Sequence, residues 1–174
     1  DGNPEYKSIA TARKTDKISA FIFIGEGETN AGSNVTFVKI GDITYVGIPE
    51  GATLVKDWNE FTTALTNNAA TIVLTDNITN PTSSLYNITK EVIINLNGKS
   101  LSIGNSAYLG LKTNSVTFKN GTIEGNVYVR TENKSAKFYN VTFGGTINYN
   151  SCEASLHVAG GEVIAEGCTF NGTY

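Results

Sequence analysis

Four segments of the chain lie over one another: Val92-Ile-Ile-Asn-Leu-Asn-Gly-Lys-Ser-Leu101, Val116-Thr-Phe-Lys-Asn-Gly-Thr-Ile123, Ala136-Lys-Phe-Tyr-Asn-Val-Thr-Phe143 and Val163-Ile-Ala-Glu-Gly-Cys-Thr-Phe170. Thr71-Ile-Val-Leu-Thr-Asp-Asn-Ile78 is a looser first copy. Each reads apolar–x–apolar–x–Asn/Gly, then x–Thr–apolar. Their closing apolar residues are Ile78, Leu101, Ile123, Phe143 and Phe170, at spacings of 23, 22, 20 and 27. A period near 20 residues with two short strands around a bend is one turn of a coil whose turns stack on one another. A third strand fits in the residues left over in each turn. Alternate apolar side chains then point inward and meet their equivalents one turn away, about 4.8 Å along the axis. The spacing predicts a parallel β-helix of about five turns.

The bend carries its own signature. Asn120 and Asn140 occupy it, Asn97 fills it in a longer turn, and Gly167 takes the place in the last copy. Asn and Gly reach the left-handed backbone region at small cost, and a stacked Asn amide can bond backbone or the next Asn. The 20 Asn, 22 Thr and 18 Gly of this 174-residue chain therefore have a structural use. Seven Asn-x-Ser/Thr sequons occur, where about four would arise by chance at this composition. Those at Asn120 and Asn140 follow from a bend Asn preceding a strand Thr, so glycosylation is not inferred. Thr122, Thr142 and Thr169 are expected to form an outward column, a cross-strand stack.

Ahead of the repeats, Asp57 to about Asn67 predicts the one good helix. Asp57 is the N-cap and Glu60 follows three residues later, while Trp58, Phe61, Ala64 and Leu65 form an apolar stripe. Residues 1–50 read as a small β-appendage. Lys17–Gly25 is a strand, Glu26–Asn34 a polar loop, and Val35–Ile40 with Ile43–Ile48 flank Gly41-Asp42 as a hairpin. The division expected is 1–50 for the appendage and 51–174 for the capping helix (57–67) plus coil.

The bend repeats Phe118-Lys-Asn-Gly-Thr-Ile and Phe138-Tyr-Asn-Val-Thr-Phe, with the helix Trp58-Asn-Glu-Phe-Thr-Thr-Ala-Leu before Thr71-Ile-Val-Leu, resemble the pectate-lyase-like right-handed parallel β-helix superfamily. The resemblance covers residues 53–174. It implies an all-β fold with a helix capping the N-terminal end of the core. The superfamily includes polysaccharide lyases, glycoside hydrolases, esterases, phage tailspikes and surface adhesins, so the fold leaves the function open.

Composition narrows the classes. A formal net charge of −3 and 17% charged residues argue against a nucleic-acid binder, and no apolar run reaches the ~20 residues of a membrane span. A calcium-dependent lyase needs clustered carboxylates and a base. All five Asp residues lie at or before Asp76, and Arg130 is the only Arg of the repeats. A glycosidase needs two facing carboxyl groups. The candidates are Glu91, Glu124, Glu132, Glu153, Glu162 and Glu166, but Glu124 and Glu166 do not occupy the same repeat position and no Asp-Asp or Asp-x-Asp motif occurs. No catalytic residue, cofactor or metal is assigned. His157, alone in the sequence, is expected to point outward between Leu156 and Val158 or to fill a turn. Cys168 aligns with the inward Val141 and reads as a buried apolar residue, with a Cys152–Cys168 disulfide the alternative.

Binding features are better represented. If Val127 and Val129 point inward, Tyr128 and Arg130 point out. One turn earlier Leu109 and Leu111 leave Tyr108 and Lys112 outward, and Asn148, Tyr149 and Asn150 follow in the next turn. Aromatic rings beside Lys, Arg and Asn suit sugar stacking and hydroxyl recognition. The expected function is a non-catalytic, secreted or cell-surface binding module for a polysaccharide or glycoconjugate. The alternatives are a small polysaccharide lyase or hydrolase using Arg130 and scattered Glu residues, and a phage-fibre or adhesin assembly component. The ladder strand at Phe170 runs straight to Tyr174, which predicts self-association through an uncapped end.

Overall fold

The computed structural model describes residues 37–40, 43–46, 49, 51–82, 84–104, 108–130, 135–144, 148–149, 152–153 and 155–171, with the backbone alone at 37–40, 43–46, 148–149 and 152–153. The strand expected at Lys17–Gly25 and the loop at Glu26–Asn34 lie outside them. The chain divides into two units, Asp1–Glu50 and Gly51–Tyr174. In the first, β1 (Phe37–Ile40) and β2 (Ile43–Val46) pair antiparallel with Ile40 opposite Ile43, the register a two-residue connection imposes.

The second unit begins with β3 (Thr53–Val55), helix α1 (Trp58–Thr66), β4 (Thr71–Leu74), β5 (Ile78–Thr79) and β6 (Tyr86–Ile88). It continues through β7 (Val92–Asn95), β8 (Ser100–Ser102), β9 (Tyr108–Leu111), β10 (Ser115–Glu124) and β11 (Asn126–Val129). The last elements are β12 (Ser135–Phe143), β13 (Asn148–Tyr149), β14 (Cys152–Glu153), β15 (Leu156–Val158), β16 (Glu162–Glu166) and β17 (Thr169–Phe170). All pairings of this unit are parallel except β13 with β14. One sheet runs β3-β4-β7-β10-β12-β16 with β5, β8 and β17 alongside, and a second runs β6-β9-β11-β15. This is a parallel β-solenoid. Among the described residues it has about four turns rather than five, because the second sheet has four strands there and none follows the final copy, β16 with β17.

The expected ladder is present. Ile78 pairs with Leu101, Leu101 with Ile123, Ile123 with Phe143 and Phe143 with Phe170. A parallel column runs Ile72, Ile94, Phe118, Phe138 and Ala165. Phe118 stacks on Phe138 at 5.7 Å between ring centroids, and Phe138 meets Phe143 edge-on at 5.1 Å. Thr122, Thr142 and Thr169 form the outward column, extended back to Ser100.

The bends are left-handed as their residues require: φ is 54° at Asn97, 58° at Asn120, 54° at Asn140 and 62° at Gly167. Asn140 Nδ2 lies 3.5 Å from Asn120 Oδ1, and Asn120 Nδ2 3.5 Å from Asn95 Oδ1. The amide column thus passes to Asn95 rather than Asn97. The turn at 96–99 is two residues longer than the one above it, and Asn97 Nδ2 instead donates to Leu74 O at 3.0 Å. At Gly167 the column ends, and the Asn140 amide oxygen lies where a side chain would begin.

Helix α1 is bounded by Asp57 and Asn67. Asp57 Oδ1 accepts from Glu60 N at 2.8 Å. The return bond goes to the preceding residue, with Lys56 N donating to Glu60 Oε2 at 3.0 Å. Phe61, Ala64 and Leu65 are buried and belong to the core that fills the coil. Trp58 closes the rim, 5.5 Å from the Phe61 ring and edge-on to Tyr86 at 5.2 Å.

Candidate functional site

The four-stranded sheet places the side chains expected to contact a ligand. Leu109, Leu111, Val127 and Val129 are fully buried, so alternation turns Tyr108 and Tyr128 outward. Arg130 and Lys112 follow the ends of β11 and β9 one turn apart. Arg130 N donates to Leu111 O at 3.1 Å and Lys112 N to Ile88 O at 2.8 Å, which carries the parallel ladder past the strand ends. All four side chains are half-buried.

Tyr128 is the hub. Tyr108 meets it edge-on at 5.5 Å, and the Arg130 guanidinium carbon lies 5.0 Å from its ring centroid, within cation–π range. The third contact comes from His157, in register with Tyr128 on β15 and edge-on to it at 4.7 Å. His157 does stand outward between Leu156 and Val158, but as a member of the cluster rather than an isolated surface residue.

For Tyr149, which the sequence placed in the next turn of this face, only the backbone is described. Its backbone lies in β13, antiparallel to β14, with Asn148 opposite Glu153 and Tyr149 opposite Cys152. The strand that stacks on β11 is β15. The 27-residue spacing before Phe170 thus contains an inserted hairpin, and the side chain of Tyr149 lies outside the described residues. Cys168 is a half-buried free thiol packed against the core, with Sγ 3.4 Å from Phe138 O. Its alternative partner, Cys152, has its side chain outside the described residues.

A second feature invisible in the sequence lies beneath Tyr128. Its register partner on β9 is Gly110, whose partner on β6 is Asn87. A Cβ at Gly110 would collide with Asn87 Oδ1, so the glycine makes room for the Asn87 amide of the neighbouring turn. Asn87 Oδ1 and Asn126 Oδ1 are buried acceptors without a donor among the described residues. Asn126 is in register with Tyr108, so both orphaned oxygens belong to this sheet. The sequon at Asn87 is accounted for by this packing, as those at Asn120 and Asn140 are by the bends. Among the described residues no three of His, Cys, Asp or Glu come together in a metal-binding group, and no helix is long and apolar enough to cross a membrane.

A short parallel β-solenoid, closed by a helix at one end and carrying an aromatic–cationic cluster on one outer sheet, defines a pectate-lyase-like β-helix protein. A family model described as "Putative pectate lyase-like adhesive domain" matches residues 52–167, about two thirds of the chain. The chain belongs to that family. The matched span takes in helix α1, all four full turns and the outer cluster. No curated protein and no solved structure matches the chain.

Proposed function

We propose that the protein is a secreted or surface-displayed adhesive module that holds a glycan against the outer face of the β6-β9-β11-β15 sheet, without cleaving it. The observation that carries this reading is the cluster of Tyr108, Tyr128 and His157, spanning three successive turns with Arg130 and Lys112 beside it. A pyranose ring offers C–H faces that pack on aromatic rings and hydroxyls that accept from Lys and Arg. Tyr128 is fixed by three contacts before any ligand arrives, so little ordering entropy is lost on binding. The adhesive family description supports the reading at the level of role, and the choice of a glycan rests on the side chains.

An array of polysaccharides and glycoconjugates probed with the intact chain tests this. Saturable binding without release of new reducing or unsaturated ends, reduced about tenfold or more by Tyr128→Ala, is the expected result. Chain cleavage lost in Arg130→Ala would replace the adhesive reading with a lyase. Absence of any bound glycan would remove the ligand.

A further inference from the structure

Alternation along β11 and past its end places Asn126, Tyr128 and Arg130 on one outer face, two residues apart. On one side of the Tyr128 ring stand donors: the Arg130 guanidinium, 5.0 Å from the ring centroid, and Lys112 one turn earlier. On the other side stand acceptors. Asn126 is 4% exposed, and its Oδ1 is buried with no donor among the described residues. Asn87 Oδ1, also buried without one, reaches the point where a Cβ of Gly110 would stand, and Gly110 is in register with Tyr128. Tyr108 neighbours both amides: it is in register with Asn126, and its Cε2 lies 3.6 Å from that same point over Gly110. Buried polar groups are paired in nearly all native structures, so two orphaned oxygens on one outer sheet call for a donor from outside the fold.

We propose that Asn87 and Asn126 are ligand-binding residues, and that they select a neutral, hydroxyl-bearing glycan. This rests on the glycan face argued above and names the chemistry that face takes. A sugar hydroxyl both donates and accepts, so a pyranose packed on Tyr128 donates to the amide oxygens and accepts from Arg130 and Lys112. A carboxylate or sulfate group only accepts. It suits the cationic side and leaves the acceptor side unanswered. That mismatch weighs heavily, because an acceptor kept buried without a donor costs more than a single good hydrogen bond gains. Both oxygens are covered in the unliganded chain, so the Tyr108 ring turns aside as the sugar enters, while Tyr128 keeps its contacts with Arg130 and His157. Pairing the two acceptors offsets the loss of the Tyr108–Tyr128 contact. The free chain is less stable for holding these amides, and the ligand answers them.

Calorimetric titration of the intact chain with cellotriose, mannotriose, tri-N-acetylchitotriose and trigalacturonate is the test. The expected result is binding of at least one neutral sugar, with trigalacturonate weaker by about tenfold or more. Asn126→Leu, which keeps the side chain's size, and Asn87→Ala should each weaken the neutral sugar about tenfold. Melting temperature should stay level or rise in both, because an orphaned acceptor is gone. Opposed movements separate a binding role from a structural one, since a structural amide would lose both. In NMR spectra of tyrosine-labelled chain the Tyr108 ring signal should shift at saturation. A lower melting temperature in both variants overturns the proposal, because the amides would then be paired in the free chain. So does undiminished binding by both variants, a preference for trigalacturonate, or a Tyr108 signal that does not move; each of these leaves the glycan reading standing. Failure of all three neutral sugars to bind overturns it too, and the glycan reading is then decided by the array alone.

Discussion

Phe61 and Phe170 are the same residue at opposite ends of the coil, and they are treated oppositely. Phe61, on the inner face of α1, is fully buried, whereas Phe170 keeps half of its surface in water. The stacking rule that builds the middle of a solenoid cannot finish an end, because every turn it adds presents the same apolar interior again. At the first turn the chain changes period, from strand alternation to a helix with Phe61, Ala64 and Leu65 on one face. At the last described turn it keeps the period and reduces the apolar bulk at one inward position, from Phe138 to Ala165.

A pair of truncations gives the largest expected contrast. Phe61→Ala removes a ring buried on all sides and should cost about 3–5 kcal/mol in denaturant unfolding. Phe170→Ala removes a half-exposed ring with one stacking partner and should cost about 1 kcal/mol or less. Equal losses would erase the distinction between the ends.

The same contrast divides what was legible in the sequence. The ladder from Ile78 to Phe170, the four bends and the limits of α1 could all be read, because each follows from a periodic pattern or a local backbone preference. The outer face was legible only in part. Tyr108, Tyr128, Lys112 and Arg130 follow from alternation once Val127 and Val129 are placed inside. That β15 is the strand paired with β11 was not legible, because Asn148-Tyr149 and Leu156-His157-Val158 both fit a strand of period two, and alternation cannot say which of two strands joins the stack. The spacing of 27 was the available signal: it leaves room for a hairpin, and a hairpin is what fills it. Gly110 and Asn87 gave no signal, since a close approach between neighbouring turns depends on a register that single residues do not reveal.

The bends allow a finer comparison of interior and end. Asn120→Ala leaves a left-handed φ of 58° on a residue with no amide to bond its neighbours, and should cost about 2 kcal/mol. Gly167→Ala imposes a similar backbone strain and pushes a methyl group against the Asn140 amide, but among the described residues no further bend stacks on it; about 1 kcal/mol is expected. Equilibrium unfolding of both variants checks the order, and a larger loss at Gly167 would mean that the last turn is as constrained as the third. A smaller effect again belongs to the cap. Asp57→Ala removes the acceptor for Glu60 N and should cost about 1 kcal/mol, with Asp57→Asn restoring most of it.

The smallest effect can be read from pH, and it reports on the capped end alone. Burial beside Trp58 pushes the Tyr86 phenol above its ordinary value of 10.0. A raised value means that the folded chain prefers the neutral phenol more strongly than the unfolded chain does. The stability this carries is fully present below about pH 10 and is lost as pH rises through the folded-state value. Melting temperature should therefore fall on the alkaline side. The contribution of Tyr86 is isolated by Tyr86→Phe, which keeps the ring against Trp58 and removes the proton. The variant should melt like the parent at neutral pH and lose less above pH 10. Tyr86 is only half-buried, so the difference will be small. Coincident alkaline profiles would show that water reaches the phenol freely, and that the helix seals its end of the coil less completely than the buried Phe61 suggests.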